Sequence, residues 1–338
     1  MSVFEDTHVK LAHGNGGRLM NELIEEVFAR HLANANLDTS LDAAAMKLSP
    51  GMIPVVTTDG FIVQPLEFPG GDIGSLAIHG TVNDLAVSGA TPRYITLSAI
   101  IEEGLELKQL DRIIESAGKA ARQAGVDVVA GDTKVTPHGS GGGLYLVSTG
   151  IGERRPDINL NPKNIVPGDA VLVSGPVGDH GISVMLAREE FDLKGDVRSD
   201  NADVSDLTRA LLDLNGLRFM RDPTRGGIAT VAHEIAKTSS CDVYLNEEIL
   251  PVRDQVRSVC DILGYDPYYL ACEGRVVAIV SNEQKNEALA IWKAIPAGKD
   301  AEIVGHIKQG AGNVILQTLI GGERLLEELE DDPLPRIC

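Results

Sequence analysis

The chain has 338 residues, 43% of them hydrophobic and 23% charged, and 49 Asp and Glu outweigh 30 Lys and Arg to leave a net charge of -19. That length suits two domains, and the composition excludes a disordered chain. So acidic a chain also excludes duplex nucleic acid as a partner, because phosphates call for clustered Lys and Arg; a local basic pocket for one nucleotide stays open.

The opening MSVFEDTHVKLAHGNGG has no apolar stretch behind a basic start, so it does not read as a signal peptide. No apolar run approaches the ~20 residues that a membrane helix needs. The cysteines, Cys241, Cys260, Cys272 and Cys338, include no C-x-x-C pair. That points to reduced thiols in the cytoplasm and away from zinc or disulfides.

Residues 18–32, RLMNELIEEVFARHL, place Leu19, Leu23, Ile24, Val27 and Phe28 on one helical stripe, directly after HGNGG at 13–17. AAAMKL and IPVVTTDGFIV read as strands. DIGSLAIHGTVNDLAVSGA, 72–90, reads as a largely buried helix that Asp72 can cap and Gly89 can stop. RYITLSAII is a strand, KQLDRIIESAGKAARQAG a helix, and VDVVAGDTKV and LYLVSTGIGE are strands. The stretch 154–169, RRPDINLNPKNIVPGD, has three prolines and no periodicity and reads as a linker. Beyond it AVLVSG, DVYLN, RVVAIV, AEIVGHI and NVILQTL are strands. DHGISVMLAREE, DVSDLTRALLDLN, GGIATVAHEIAKTS and NEQKNEALAIWKAI are helices. This alternation predicts α/β layers in two domains, 1–155 and 156–316. A segment over 317–338 follows, read as an acidic short helix and a mobile, proline-bearing tail.

The aspartates carry most of the chemical information. Asp42 opens LDAAAM, Asp59 ends a strand in VVTTDG, Asp84 lies in VNDLAVSGATP beside Asn83, Asp132 ends a strand in VVAGDTK, and Asp222 opens DPTRGG. A carboxylate at a strand end points out of the sheet edge, where ligands sit in layered α/β folds. Mg²⁺ takes a few carboxylates together with phosphate oxygens. Each aspartate alone reads first as a turn or helix cap; five beside glycines in apolar surroundings favour a Mg²⁺-nucleotide site. HGNGG, with Gly14, Asn15, Gly16 and Gly17, can wrap phosphates with backbone N–H groups. Neither a P-loop nor a G-x-G-x-x-G fingerprint is present. Lys134, after GDT, can neutralise a phosphate, and Arg155 and Arg225 can contact phosphate or substrate. Glu273 in ACEGRV is a candidate base, or else a salt-bridge partner of Arg275; His138 in TPHGSGGG is a second candidate, or a plain surface histidine. The last residue, Cys338, follows Pro333 and Pro335, so its thiol stands on a segment without chain beyond it to clash with a pocket wall.

TTDGF, GGDIGSLAIHGTVNDLAVSGATP, AGDTKV and DPTRGG resemble the ATP-binding aminoimidazole-ribonucleotide-synthetase-like superfamily. HGNGG, NDLAVSGA and a C-terminal P-R-x-C are most similar to its HypE family of hydrogenase maturation factors. The resemblance implies an N-terminal mixed sheet that pairs with its twin in a dimeric barrel, and a C-terminal α/β sandwich. It implies ATP and Mg²⁺ bound between the halves, with Asp42, Asp59, Asp84 and Asp222 matching the metal positions. It implies that Cys338 receives a carbamoyl group from HypF, that ATP-dependent dehydration makes a thiocyanate, and that the cyanide passes to iron on HypC–HypD for a [NiFe]-hydrogenase. Sister enzymes are rival readings. Selenophosphate synthetase needs a reactive Cys or selenocysteine in the glycine-rich loop, which HGNGG lacks, and thiamin-monophosphate kinase needs no terminal thiol. A non-catalytic thiol carrier is a further rival, which would have no use for the aspartates.

Overall fold

The computed structural model describes residues 6–41, 43–188, 195–330, 334 and 337–338. The chain forms two compact units: residues 1–85 and 90–155 with Cys338, and residues 86–89 with 156–337. Among the described residues no helix is long and apolar enough to cross a membrane.

In the first unit, helix α1 starts at Arg18–Leu23, widens to a π-type turn over Ile24–Ala29 and closes with Arg30–Leu32. Strand β1 is Ile53–Phe61, β2 and β3 are the short pair Glu67–Phe68 and Gly71–Asp72, and α2 is Ile73–Val87. Strand β4 (Thr91–Glu102), helix α3 (Leu107–Ala124), β5 (Asp127–Thr136) and β6 (Leu144–Arg154) complete the unit. The sheet order is β1-β6-β4-β5. β4 and β5 are parallel because α3 carries the chain back between them; the other pairs are antiparallel. Helix α3 buries Leu107, Leu110, Ile113, Ile114, Ala117 and Ala121, the three- and four-residue spacing of one face, and ends at Gly125 with φ 68°. Each such Leu or Ile contributes roughly 1.5–3 kcal/mol on burial. Asp72 caps α2 as expected, its Oδ1 accepting Ser75 N–H at 2.9 Å.

The second unit holds β7 (Ala170–Val173), α4 (Asp179–Ala187), α5 (Ser205–Leu211), β8 (Leu217–Arg221), α6 (Gly227–Ser239), β9 (Cys241–Asn246), α7 (Asp254–Leu263), β10 (Val277–Val280), α8 (Lys285–Lys293), β11 (Glu302–Gln309), β12 (Val314–Gln317) and β13 (Glu323–Leu325). Its sheet order is β13-β12-β9-β11-β7-β10-β8. AVLV and VAIV read as unbroken apolar runs because both faces of the sheet are covered. Val171, Val173, Val277 and Ile279 join one core with α6, while Ala170, Leu172, Ala278 and Val280 join a second core with α5 and α8.

Three expectations change. AAAMKL is not a strand: Tyr94 holds Lys47 by its hydroxyl, and Glu153 holds Ser49 by its carboxylate, so side chains satisfy a backbone that pairs with no neighbouring strand. The acidic short helix after residue 320 is absent among the described residues; Glu323–Leu325 instead pairs antiparallel with β12 and satisfies its backbone there. Neither Asp59 nor Asp132 ends its strand, because β1 stays paired with β6 through Phe61 and β5 with β4 through Thr136. Strand β8 and helix α7 were not anticipated from the sequence.

Candidate functional site

Strand β1 turns Thr57, Asp59 and Phe61 to the same face, since side chains alternate along a strand. Thr57 Oγ1 donates to Asp84 Oδ2 at 2.7 Å, tying that face to helix α2. Asp59 sits opposite Ser148 of β6 and accepts Gly60 N–H at 2.8 Å. Ser148 in turn hydrogen-bonds Thr81, which stands one turn before Asp84 on α2. The structure therefore brings Asp59 and Asp84 to one half-buried face with hydroxyls around them, and buries Asn83 beside them. This is a set of hard oxygen donors, the chemistry that suits Mg²⁺. Asp42 lies outside the described residues.

HGNGG forms a tight turn ahead of α1. A Cβ on Gly14 would stand 2.9 Å from the backbone nitrogen and Cβ of Val135, so only glycine lets this turn approach β5 so closely. Gly16 has φ 76°, and a Cβ on Gly16 or Gly17 would meet nothing within 4 Å. Asn15, Gly16 and Gly17 are exposed, and the open backbone suits the phosphates of a nucleotide.

Other candidates from the sequence stand apart. Lys134 Nζ lies 2.8 Å from Asp132 Oδ2, an exposed pair at the edge of the sheet. A cavity of 450 Å³ opens beside Asp132 over Phe28, Leu37, Leu41 and Leu97. His138, 82% exposed, approaches Glu102 Oε1 at 3.8 Å and the Glu103 carbonyl at 3.1 Å. Arg155 is exposed at the end of the first unit.

Asp222, Arg225 and Glu273 belong to the second unit. Asp222 is buried and Arg225 exposed in the turn between β8 and α6. A Cβ on Gly227 would stand 2.6 Å from the Tyr268 and Leu270 carbonyls, so the strand of chain leading to Glu273 lies directly on this turn. Cys272 N–H then donates to the Pro223 carbonyl at 2.9 Å, which brings Asp222 and Glu273 into one neighbourhood. Glu273 is 2% exposed, and its backbone N–H donates to Asp200 Oδ1 at 3.1 Å. Arg275, offered by the sequence as its salt-bridge partner, instead approaches Asp200 Oδ2 at 3.5 Å and Asp179 Oδ2 at 3.8 Å.

Asp179, His180, Asp200 and Arg275 form a buried polar node that the sequence reading passed over. Its one sequence signal is GDHG, two titratable residues opening an otherwise apolar helix. Burial, reinforced by the neighbouring Asp200 charge, raises the Asp179 carboxyl from 3.8 to about 6, against the pull of Arg253 and Arg275. Arg253 Nε is 3.0 Å from Asp179 Oδ2, yet among the described residues no N–H is aimed at either oxygen. His180 Nε2 meets the Ile337 carbonyl at 2.5 Å, so the node also receives the tail. Burial pushes the Cys260 thiol up to about 11 and holds that of Cys272 well above its usual value. With Cys241 also buried, half-buried Cys338 is the accessible sulfur.

Two layered units, the first offering an oxygen-ligand face and an exposed glycine turn, define a class of two-domain α/β proteins. The family model of the AIR synthase related protein N-terminal domain matches residues 40–153, and that of the C-terminal domain matches 166–317. The carbamoyl dehydratase HypE of Azotobacter vinelandii is 44% identical over 332 residues, 98% of this chain and 97% of the relative. A crystal structure of the hydrogenase maturation protein HypE in complex with ATP is 43% identical, with TM-score 0.92 over 97% of this chain and 99% of that one. A chain of a HypE–HypF complex is 44% identical, with TM-score 0.79 over 91% of this chain and 99% of that one. The chain belongs to the carbamoyl dehydratase HypE family of enzymes.

Proposed function

We propose that this chain uses ATP to dehydrate an S-carbamoyl group on its own Cys338 to a thiocyanate, supplying the cyanide ligand for the iron of a [NiFe]-hydrogenase. The observation that carries the reading is the full-length similarity to carbamoyl dehydratase HypE; a tail received by the node that supports Glu273 agrees with it.

The chemistry explains the parts. An S-carbamoyl thiol, R–S–C(=O)–NH₂, has oxygen as a poor leaving group. Attack of that oxygen on the γ-phosphorus of ATP expels ADP and makes the oxygen part of a phosphate. Loss of both nitrogen protons and of phosphate then closes the C≡N bond, giving R–S–C≡N, ADP, inorganic phosphate and one net proton. Buried Glu273 takes a proton from the nitrogen, and His138 is a second candidate for that step. The backbone of Gly14, Asn15, Gly16 and Gly17 holds phosphates, with Arg155 and Arg225 as further phosphate contacts. Lys134 turns to the phosphate from Asp132, an exposed pair that is weakly coupled and easily opened. Asp59, Asp84, Asp222 and Asp42 would hold Mg²⁺, and Asn83, next to Asp84 in the chain, would join the nucleotide contacts. Bound there, Mg²⁺ would supply positive charge to the phosphate oxygens.

A HypF-type protein donates the carbamoyl group, which agrees with the similarity to a chain of the HypE–HypF complex. A HypC–HypD-type iron complex accepts the cyanide. The chain acts in the cytoplasm as a homodimer, paired through the sheet face that exposes Val147 and Val56, the latter 69% exposed.

The test is mass spectrometry of the C-terminal peptide after the carbamoyl donor system and then Mg-ATP are supplied. The Cys338 adduct is expected to lose one water, and a Cys338→Ala variant to bind ATP without ever forming the adduct. Retention of the full carbamoyl mass after ATP defeats the reading.

A further inference from the structure

The end of the chain is held by its backbone. His180, fully buried near the start of α4, places Nε2 2.5 Å from the Ile337 carbonyl oxygen. A carbonyl can only accept, so Nε2 carries the hydrogen. Nδ1 is then the bare nitrogen, and it accepts from the Ser199 hydroxyl at 2.8 Å. Ser199 Oγ accepts Asn201 N–H in its turn at 3.0 Å. The ring is thereby fixed in one tautomer and one orientation. Burial, as the largest influence, lowers the His180 pKa, which keeps the ring neutral around pH 7 and the single Nε2–H aimed at the tail. The tail adds apolar weight at the same place: Leu334 is 3% and Ile337 2% exposed, and Leu334 Cδ1 lies 3.5 Å from where a Cβ on Gly181 would stand.

We propose that His180 is the positioning residue for Cys338, its Nε2–H clamping the planar peptide group that joins Ile337 to Cys338. With that group fixed, only the φ and χ1 of Cys338 are left to place the sulfur. The clamp shares its support with the chain around Glu273. Gly181 N–H donates to the Ala271 carbonyl at 3.2 Å, and Gly178 N–H to Cys272 Sγ at 3.3 Å. A shift of α4 would therefore move the tail and the base together. A single hydrogen bond between neutral groups is also weak enough to open when a donor protein must reach the thiol. The catalytic consequence rests on the carbamoyl dehydratase reading; the accessibility of the thiol does not.

The experiment labels Cys338 in the full chain with iodoacetamide at pH 7.5 without ATP and reads the rate from the mass of the C-terminal peptide. Cys241, Cys260 and Cys272 are buried, so the label reports the tail. His180→Ala is expected to raise the labelling rate about three- to tenfold, the range one hydrogen bond spans. His180→Gln, whose amide keeps an N–H for the Ile337 carbonyl, is expected to stay within about twofold of the parent chain. Ile337→Ala, a change on the tail itself, is expected to raise the rate as His180→Ala does. Given carbamoyl donor and ATP, His180→Ala should accept the carbamoyl group at an undiminished rate and dehydrate it about tenfold more slowly. Unchanged labelling in both His180→Ala and Ile337→Ala overturns the proposal, as does His180→Gln labelling as fast as His180→Ala. Labelling that changes as expected while no chain dehydrates, the parent included, keeps the clamp and removes the dehydratase reading.

Discussion

Replacing Asp179 with asparagine should stabilise the second unit, and increasingly so as the pH rises. The carboxyl is buried and its pKa is raised from 3.8 to about 6. The folded state therefore holds the proton more tightly than the unfolded state, and stability falls as pH rises through about 6. At 1.36 kcal/mol per pKa unit the full penalty above pH 7 is about 3 kcal/mol. Partial titration leaves about 1 kcal/mol of it at pH 4.5. Asp179→Asn keeps the shape and removes the charge, while Arg275 retains Asp200 and Arg253 stays half in solvent. Its advantage over the parent chain should therefore grow by about 2 kcal/mol between pH 4.5 and pH 7.5. Trp292, the sole tryptophan, is fully buried in this unit, and its fluorescence during urea unfolding reports the transition. A difference between the two chains that stays constant across this range, or shrinks with rising pH, refutes the reasoning.

Two further outcomes are expected at the first unit. Asp84→Asn should lower ATP-dependent dehydration by about 10²-fold or more while carbamoylation of Cys338 persists, read from the same peptide masses. Equal loss of both steps would point to misfolding. Gly14→Ala would press a methyl against Val135 at 2.9 Å; it should destabilise the first unit by about 1–3 kcal/mol and weaken ATP binding, seen by thermal unfolding with and without nucleotide.

The layers of both units were legible because burial writes itself into spacing. KQLDRIIESAGKAARQAG shows one helical face, and AVLV and VAIV show strands covered on both sides. AAAMKL misled because an apolar run carries no mark that side chains of Tyr94 and Glu153, distant in sequence, will take the place of a partner strand. The ERLLEELE stretch has helical composition, yet pairing with β12 overrides that local preference. Of the candidate acids, Asp59 and Asp84 stand out in the sequence as strand and helix acids near glycines; the bond from Thr57 to Asp84 has no such mark. The Asp179–His180–Asp200 node escaped notice because its members come from separate segments, and nothing in any one of them announces the others.

The sheet order has a consequence for synthesis. All four main strands of the first unit lie between residues 53 and 154, so that sheet can close as soon as this stretch has left the ribosome. Strand β7, at residues 170–173, must wait for β10 and β11, which begin at residues 277 and 302. For more than a hundred residues of elongation its bare AVLV edge invites wrong partners. The second unit is thus the part that most needs chaperone cover during translation.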